Sequence, residues 1–143
     1  MPSKIKLTKD EKVRCIDFLF RYEAEIKNNY GYYNWESTEI DKFCAKANIV
    51  KKTCRNKNHH YYFWFDTKTK TSSVGNVNDK AFHFLRHIRN AIAHGNIQKE
   101  DALMKVKDYN INDKQTMQGQ LPINLFWSFV ELVEHSKLIL KNT

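Results

Sequence analysis

The chain has 143 residues, of which 41% are hydrophobic and 28% are charged, enough for one compact domain with a single core. No run approaches the roughly 18 to 20 apolar residues of a membrane span, and the polar start MPSKIKLTKDEK is unlike a secretory signal, so we expect an unanchored cytoplasmic protein. Cys15, Cys44 and Cys54 form no CxxC pair, which argues against a disulfide framework or a standard zinc site. The formal net charge of +8 favours a polyanionic partner such as RNA or DNA.

The first half of the chain predicts two helices. Thr8 followed three residues later by Glu11 is a capping box, and apolar residues at helical spacing extend a helix from about Lys9 to Asn28. Ser37 or Thr38 caps the second helix. The apolar positions that define these helices are Val13, Ile16, Phe20 and Ala24 in the first, and Ile40, Phe43, Cys44 and Ala47 in the second.

The second half predicts two more helices with a hairpin between them. The polar stretch Thr67–Asn78 predicts a mobile loop, Asp79 caps a third helix, and Gly95 ends it. Short alternating runs flank Asn110–Asp113 as in a hairpin, and a last helix begins near Pro122. The positions expected to be buried are Ala81, Leu85, Ile88 and Ile92 in the third helix, and Leu125, Phe129, Leu132, Val133 and Ile139 in the last. With only 4 Gly and 2 Pro, the chain predicts a single domain over residues 1–143 that is mainly α, a small bundle of about four helices with a short β-hairpin before the last one.

A basic segment precedes an aromatic run in the middle of the chain. Five basic residues and no acid lie between residues 46 and 57, and the run Tyr61–Phe65 follows, which fits either a short strand or a continued helix. Basic side chains beside aromatic ones can bind phosphates and stack bases, so Lys51, Lys52 and Arg55 are candidate RNA-binding residues. A solvated helix end leading into a buried aromatic segment is the alternative.

The third predicted helix carries the most polar functional groups. Arg86, Asn90 and His94 fall at i, i+4 and i+8, which places them along one side. Arg89 lies about 140° from His94 around the helix, so only its long side chain brings the two groups to one ligand, such as a phosphate. A plain helix end would account for His94 and Gly95, but it would not account for the two arginines and Asn90 gathered near them.

The sequence Arg-Asn-Ala-Ile-Ala-His at 89–94 resembles the signature of the HEPN superfamily, which is an Arg, four to six residues beginning with a polar one, and then a His. The resemblance is close over about residues 82–98 and only architectural elsewhere. Residues 55–60 contain a second copy of the bare pattern. That copy lacks the apolar residues that would anchor a helix, so we favour the copy at 89–94.

The resemblance implies a metal-independent endoribonuclease without a cofactor, which uses the 2'-hydroxyl of RNA to form a 2',3'-cyclic phosphate. His94 would transfer protons, Arg89 would hold the phosphate, and Asn90 would orient either group. Arg86 and His87 are then expected to contact RNA. No third metal ligand of suitable spacing accompanies His83 and His87, so we predict no metal site.

The resemblance also implies partners. HEPN protomers usually pair with their motifs facing each other, so a homodimer is expected, with Phe126, Trp127 or the aromatic run at the contact. A toxin–antitoxin or anti-phage role is expected too, with a possible antitoxin or partner protein. Some HEPN toxins are modified on a Tyr two residues after the His; here that position is Asn96.

Two other functions remain open. A non-catalytic HEPN module would bind RNA or a nucleotide, or would serve as a dimeric scaffold. A DNA-binding regulator would use a basic recognition helix and a hairpin wing, but the third helix is too apolar for that role.

Overall fold

The computed structural model describes residues 4–5, 7–29, 33–51, 60–67 and 80–136. The predicted loop at 67–78 lies outside these ranges beyond Thr67, as do Cys54 and Ile139. The α-helices of the described residues are α1 (Lys9–Ala24), α2 (Thr38–Ala47), α3 (Lys80–Ala93) and α4 (Ile123–Glu134). A short 3-10 helix, Ile26–Asn28, follows α1.

A mixed sheet of six strands accompanies these helices. Its strands are β1 (Lys4–Ile5), β2 (Ile49–Lys51), β3 (Tyr61–Phe65), β4 (Ile97–Glu100), β5 (Leu103–Tyr109) and β6 (Gln115–Pro122). Their order across the sheet is β1-β4-β5-β6-β3-β2. β2 and β3 are parallel, and the other neighbouring strands are antiparallel.

The predicted fold class, a mainly helical bundle with a short hairpin, is therefore wrong. The hairpin exists as β5 and β6, but it forms the centre of a six-stranded sheet. The aromatic run becomes β3, whose Phe63 lies opposite Gly119 of β6. Local patterns missed the sheet because β1, β2 and β4 are only 2 to 4 residues long, and because β1 pairs with a strand that is distant along the chain, Lys4 lying opposite Glu100.

The helices of the described chain pack against one face of the sheet. Met104 and Val106 of β5 point to that face and are buried, while Lys105 and Lys107 alternate to the other side. The ring of Phe63 covers Gly119 on the helix-facing side, where a Cβ would lie 2.1 Å from the Phe63 ring. Phe63 also stacks on Phe129 of α4, with ring centroids 5.4 Å apart. One aromatic core thus joins the sheet to the helices.

The start of α1 is as predicted. Thr8 and Glu11 form a complete capping box. The predicted apolar positions Val13, Ile16 and Phe20, however, are exposed, and the helix buries Cys15, Phe18 and Tyr22 instead. We call Val13, Ile16 and Phe20 the α1 stripe. Helical spacing correctly predicted the helix, but two apolar faces compete on α1 and only the packing decides between them.

Within the described ranges, no helix has the length and apolar character needed to cross a membrane.

Candidate functional site

The motif lies at the carboxyl end of α3. Gly95 adopts a left-handed conformation with φ of 72° and ends the helix, as predicted. Its N–H donates to the carbonyl of Ile92 at 3.1 Å, and the N–H of Asn96 donates to the carbonyl of Ala91 at 2.7 Å, the pattern of a Schellman motif. His94 is the residue between helix and glycine, and it is exposed. Its side chain makes no hydrogen bond or ion pair with the rest of the described structure, so its imidazole is accessible to a ligand.

Arg89 and Asn90 are brought together directly. Arg89 Nη1 donates to Asn90 Oδ1 at 3.1 Å. Glu23 of α1 lies 3.8 Å from Arg89 Nη2, and the ring of Tyr22 lies 6.0 Å from the centre of the guanidinium group. The end of α1 thus packs beside the Arg89 side chain, which remains half-buried.

Asp108 of β5, which is not part of the sequence motif, joins this group. Its Oδ2 accepts from Asn90 Nδ2 at 3.2 Å, and its Oδ1 accepts from the N–H of Tyr109 at 2.9 Å. The alternation of the strand could have indicated its position. Met104, Val106 and Asp108 are every second residue of β5 and therefore lie on the face that packs against the helices. A carboxylate on an apolar phase needs a buried partner, and this one finds Asn90 and His87 on α3.

His87 is a buried partner of Asp108 and not a surface residue. Its Nδ1 lies 2.7 Å from Asp108 Oδ2, and its Nε2 lies 2.6 Å from the carbonyl oxygen of Asp66. Both ring nitrogens thus contact oxygen atoms that accept hydrogen bonds. His87 therefore fixes α3 to the sheet through the hydrogen bond between its Nδ1 and the Asp108 side chain.

Arg86 lies beside two buried histidines. Its Nε is 3.3 Å from Nδ1 of His83, and its Nη2 is 3.2 Å from Nε2 of His87. Burial lowers the pKa of His83 from its ordinary value of 6.5 to about 4, and the charge of Arg86 acts in the same direction. His83 is thus neutral near pH 7. Arg86, His87 and Asn90 all line one cavity of about 460 Å³ at the sheet end next to the motif.

The other predicted RNA-binding residues lie away from the motif or outside the described ranges. Lys51 packs over the ring of Trp35 at 5.1 Å, donates to the Trp35 carbonyl and pairs with Asp41 at 2.9 Å. Its charge is thus engaged within the chain. Lys52 and Arg55 lie outside the described residues, together with all of the second motif copy except His60.

Metal-ligating side chains do not gather at this site. Among the residues that the structure describes, no group of three or more His, Cys, Asp or Glu side chains could hold a metal ion. Cys15 and Cys44 are separate buried thiols, and burial raises the pKa of each to about 11.

The comparisons with known proteins gave one match. A family model described as HEPN pEK499 p136 matches residues 15–142, which is most of the chain. No curated protein and no solved structure gives a significant match.

Proposed function

The chain belongs to the HEPN superfamily, and on that premise we propose that it is a metal-independent endoribonuclease. HEPN domains are associated in general with RNA-related, nuclease functions. The observation that carries the finer proposal is the contact of Arg89 with Asn90 on the helix that ends at an exposed His94. A cation that can bind a phosphate thus lies five residues before an imidazole that is open to solvent.

Each residue type suits one step of cleavage by the 2'-hydroxyl. His94 accepts the proton of the 2'-hydroxyl or donates one to the leaving 5'-oxygen, since an imidazole can act as either a general base or a general acid. Arg89 binds the phosphate oxygens, whose charge increases as the phosphorus becomes five-coordinate. Asn90 holds Arg89 in place through its Oδ1. The products are a 2',3'-cyclic phosphate and a 5'-hydroxyl.

A second protomer would complete the site. Phe126 and Trp127 are buried in the core, which removes them as dimer contacts. The α1 stripe is the better candidate, because it is apolar, exposed and on the helix whose Glu23 lies 3.8 Å from Arg89. Pairing across α1 would bring two motifs towards one cleft. Phe20→Asp is expected to give a monomer in analytical ultracentrifugation, whereas Ala45→Asp at an exposed position of α2 should leave the native mass unchanged.

The test of cleavage compares RNA with DNA. Purified protein is incubated in EDTA with mixed single-stranded RNA and with its all-deoxy counterpart, and the end groups are identified by mass. We expect cleavage of RNA alone, with cyclic phosphate ends. His94→Ala and Arg89→Ala should fold normally and lose at least about 100-fold in rate, as expected for removal of a proton-transfer group or a phosphate ligand. His60→Ala, in the second motif copy, is the matched control and should retain activity.

The cleavage assay also distinguishes the ribonuclease from a second candidate function, a non-catalytic RNA-binding module. One feature favours that alternative: the His94 side chain has no hydrogen bond within the described chain to orient it. RNA that is bound but not cleaved by the native protein would support the binding module and refute the nuclease. A toxin or anti-phage role predicts that expression in bacteria arrests growth with the native chain and not with His94→Ala.

A further inference from the structure

The cavity beside the motif offers both a polar and an apolar wall. Its volume is about 460 Å³, within the range of small-molecule sites. Asn90 forms part of its lining and is bonded to Arg89, so a ligand in the cavity lies next to the proposed phosphate-binding group. The cavity therefore belongs to the same surface as the motif, on the Asn90 side.

The apolar wall of the cavity consists of large hydrophobic side chains that are exposed to solvent. Tyr109 is 39% exposed and Ile111 is 73% exposed, and both line the cavity. The other large exposed hydrophobic side chains of the described residues belong to the α1 stripe. An exposed aromatic ring at the mouth of a polar cavity is a suitable stacking platform for a nucleobase, because every base has a π-face.

The polar wall can still form hydrogen bonds. Asn90 Oδ1 accepts one bond from Arg89, and Asn90 Nδ2 donates one to Asp108. A carboxamide has capacity for two acceptor and two donor contacts, so one of each remains for the edge of a base. Asn112 and Thr116 add further polar groups to the lining.

The other side of Tyr109 is basic. A second hollow of about 200 Å³ is lined by Tyr109, Gly95, Asn96, Gln98, Lys105 and Lys107. Lys105 lies 3.3 Å from Glu100, whereas the ammonium group of Lys107 forms no ion pair with a described residue. Lys107 is thus available to a phosphate next to the turn that follows His94. A chain of alternating bases and phosphates would place a base in the larger cavity and a phosphate over Lys107.

We propose that the cavity at Asn90 and Tyr109 binds a nucleobase of single-stranded RNA, with the adjoining phosphate held by Lys107. The inference rests on the proposed ribonuclease function and assigns it a substrate-binding subsite. Tyr109 supplies the stacking surface, and Asn90 forms hydrogen bonds with the base edge. Lys107 holds the phosphate on one side of the bound base, and the phosphate on the other side is kept near Arg89 and His94.

Binding to an uncleavable probe tests the subsite separately from catalysis. A labelled 2'-O-methyl RNA cannot attack its own phosphate, and its affinity for the full chain is measured by fluorescence anisotropy. Tyr109→Ala should weaken binding about tenfold, while Tyr109→Phe stays within twofold of the native protein. Ser128→Ala, at an exposed position of α4, is the control and should change binding less than twofold. Lys107→Gln should flatten the dependence of affinity on salt, which Tyr109→Ala should leave unchanged.

The outcomes distinguish the subsite from the proposed function. If the native protein cleaves RNA but Tyr109→Ala binds the probe as tightly as the native chain does, the subsite is refuted and the ribonuclease stands. If the probe binds through Tyr109 but unmodified RNA is not cleaved, the subsite stands and the ribonuclease is refuted. A native chain that neither binds nor cleaves refutes both. Equal binding by a free mononucleotide and by the oligonucleotide would overturn the assignment to an RNA strand.

Discussion

Removal of the Asp108 carboxylate should destabilise the fold strongly. Asp108 is 2% exposed and His87 is 1% exposed, and their side chains are 2.7 Å apart. Asp108→Ala leaves the buried Nδ1 of His87 without its acceptor, and breaking a buried pair in this way costs about 3 to 5 kcal/mol of unfolding free energy. Asn90 Nδ2 and the Tyr109 N–H lose an acceptor as well. For a chain of 143 residues the melting temperature should fall by roughly 10 °C.

Urea unfolding followed by circular dichroism measures this loss. Asp17→Ala, at an exposed position of α1, is the control and should change stability by less than about 0.5 kcal/mol. The double variant His87→Phe with Asp108→Leu replaces the pair by apolar groups and should regain much of the loss, because neither member of the pair is left buried without the other. A loss below about 1 kcal/mol in Asp108→Ala, or a double variant less stable than the single one, would show that the pair does not hold α3 to the sheet as argued.

Three further variants each test one position. Because the pKa of His83 is about 4 in the folded chain and 6.5 ordinarily, the unfolded state takes up the proton first as the pH falls. The unfolding free energy should therefore decrease by up to about 3 kcal/mol as the pH falls from 6.5 to 4. In His83→Phe the unfolding free energy should depend less on pH. Urea titrations that give the same pH dependence for both proteins would contradict this prediction. Gly119→Ala would place a Cβ 2.1 Å from the buried ring of Phe63 and should cost about 3 kcal/mol in urea unfolding. In Gly95→Ala the added Cβ meets no atom within 4 Å, but the residue has a φ of 72°, so the variant should lose only about 1 kcal/mol of unfolding free energy. A larger loss in Gly95→Ala than in Gly119→Ala would refute the steric explanation.

Parts of the structure governed by neighbours along the chain were predictable. The Thr8 capping box and the Ser37 cap of α2 form between residues three apart. The end of α3 is held by two bonds: the Gly95 N–H donates to the carbonyl three residues before it, and the Asn96 N–H donates to the carbonyl five residues before it. The hairpin turn is held by Asn110, whose side chain accepts from the N–H groups of Asn112 and Lys114. Each of these interactions can be recognised from residue type and spacing alone.

The candidate site was predictable only in its helical part. Arg89, Asn90 and His94 were selected because they share one helix and match a family pattern. Asp108 contacts the same group from a strand, and Tyr109 and Ile111 form the cavity wall from that strand and the turn after it. Spacing on a helix carries no information about which strand crosses it, so these residues escaped the sequence analysis.

Residue types and their spacing were enough to predict the four helices, where most of them begin or end, the hairpin and the motif, because capping and turn formation depend on contacts within a few residues. The six-stranded sheet, in contrast, depends on long-range packing, since Tyr62 and Gln118 meet across 56 residues of chain. Tertiary structure also decided which face of α1 is buried and which acid anchors the motif helix. Those outcomes depend on the total apolar surface that the assembled elements remove from water, a quantity that no local stretch of sequence contains.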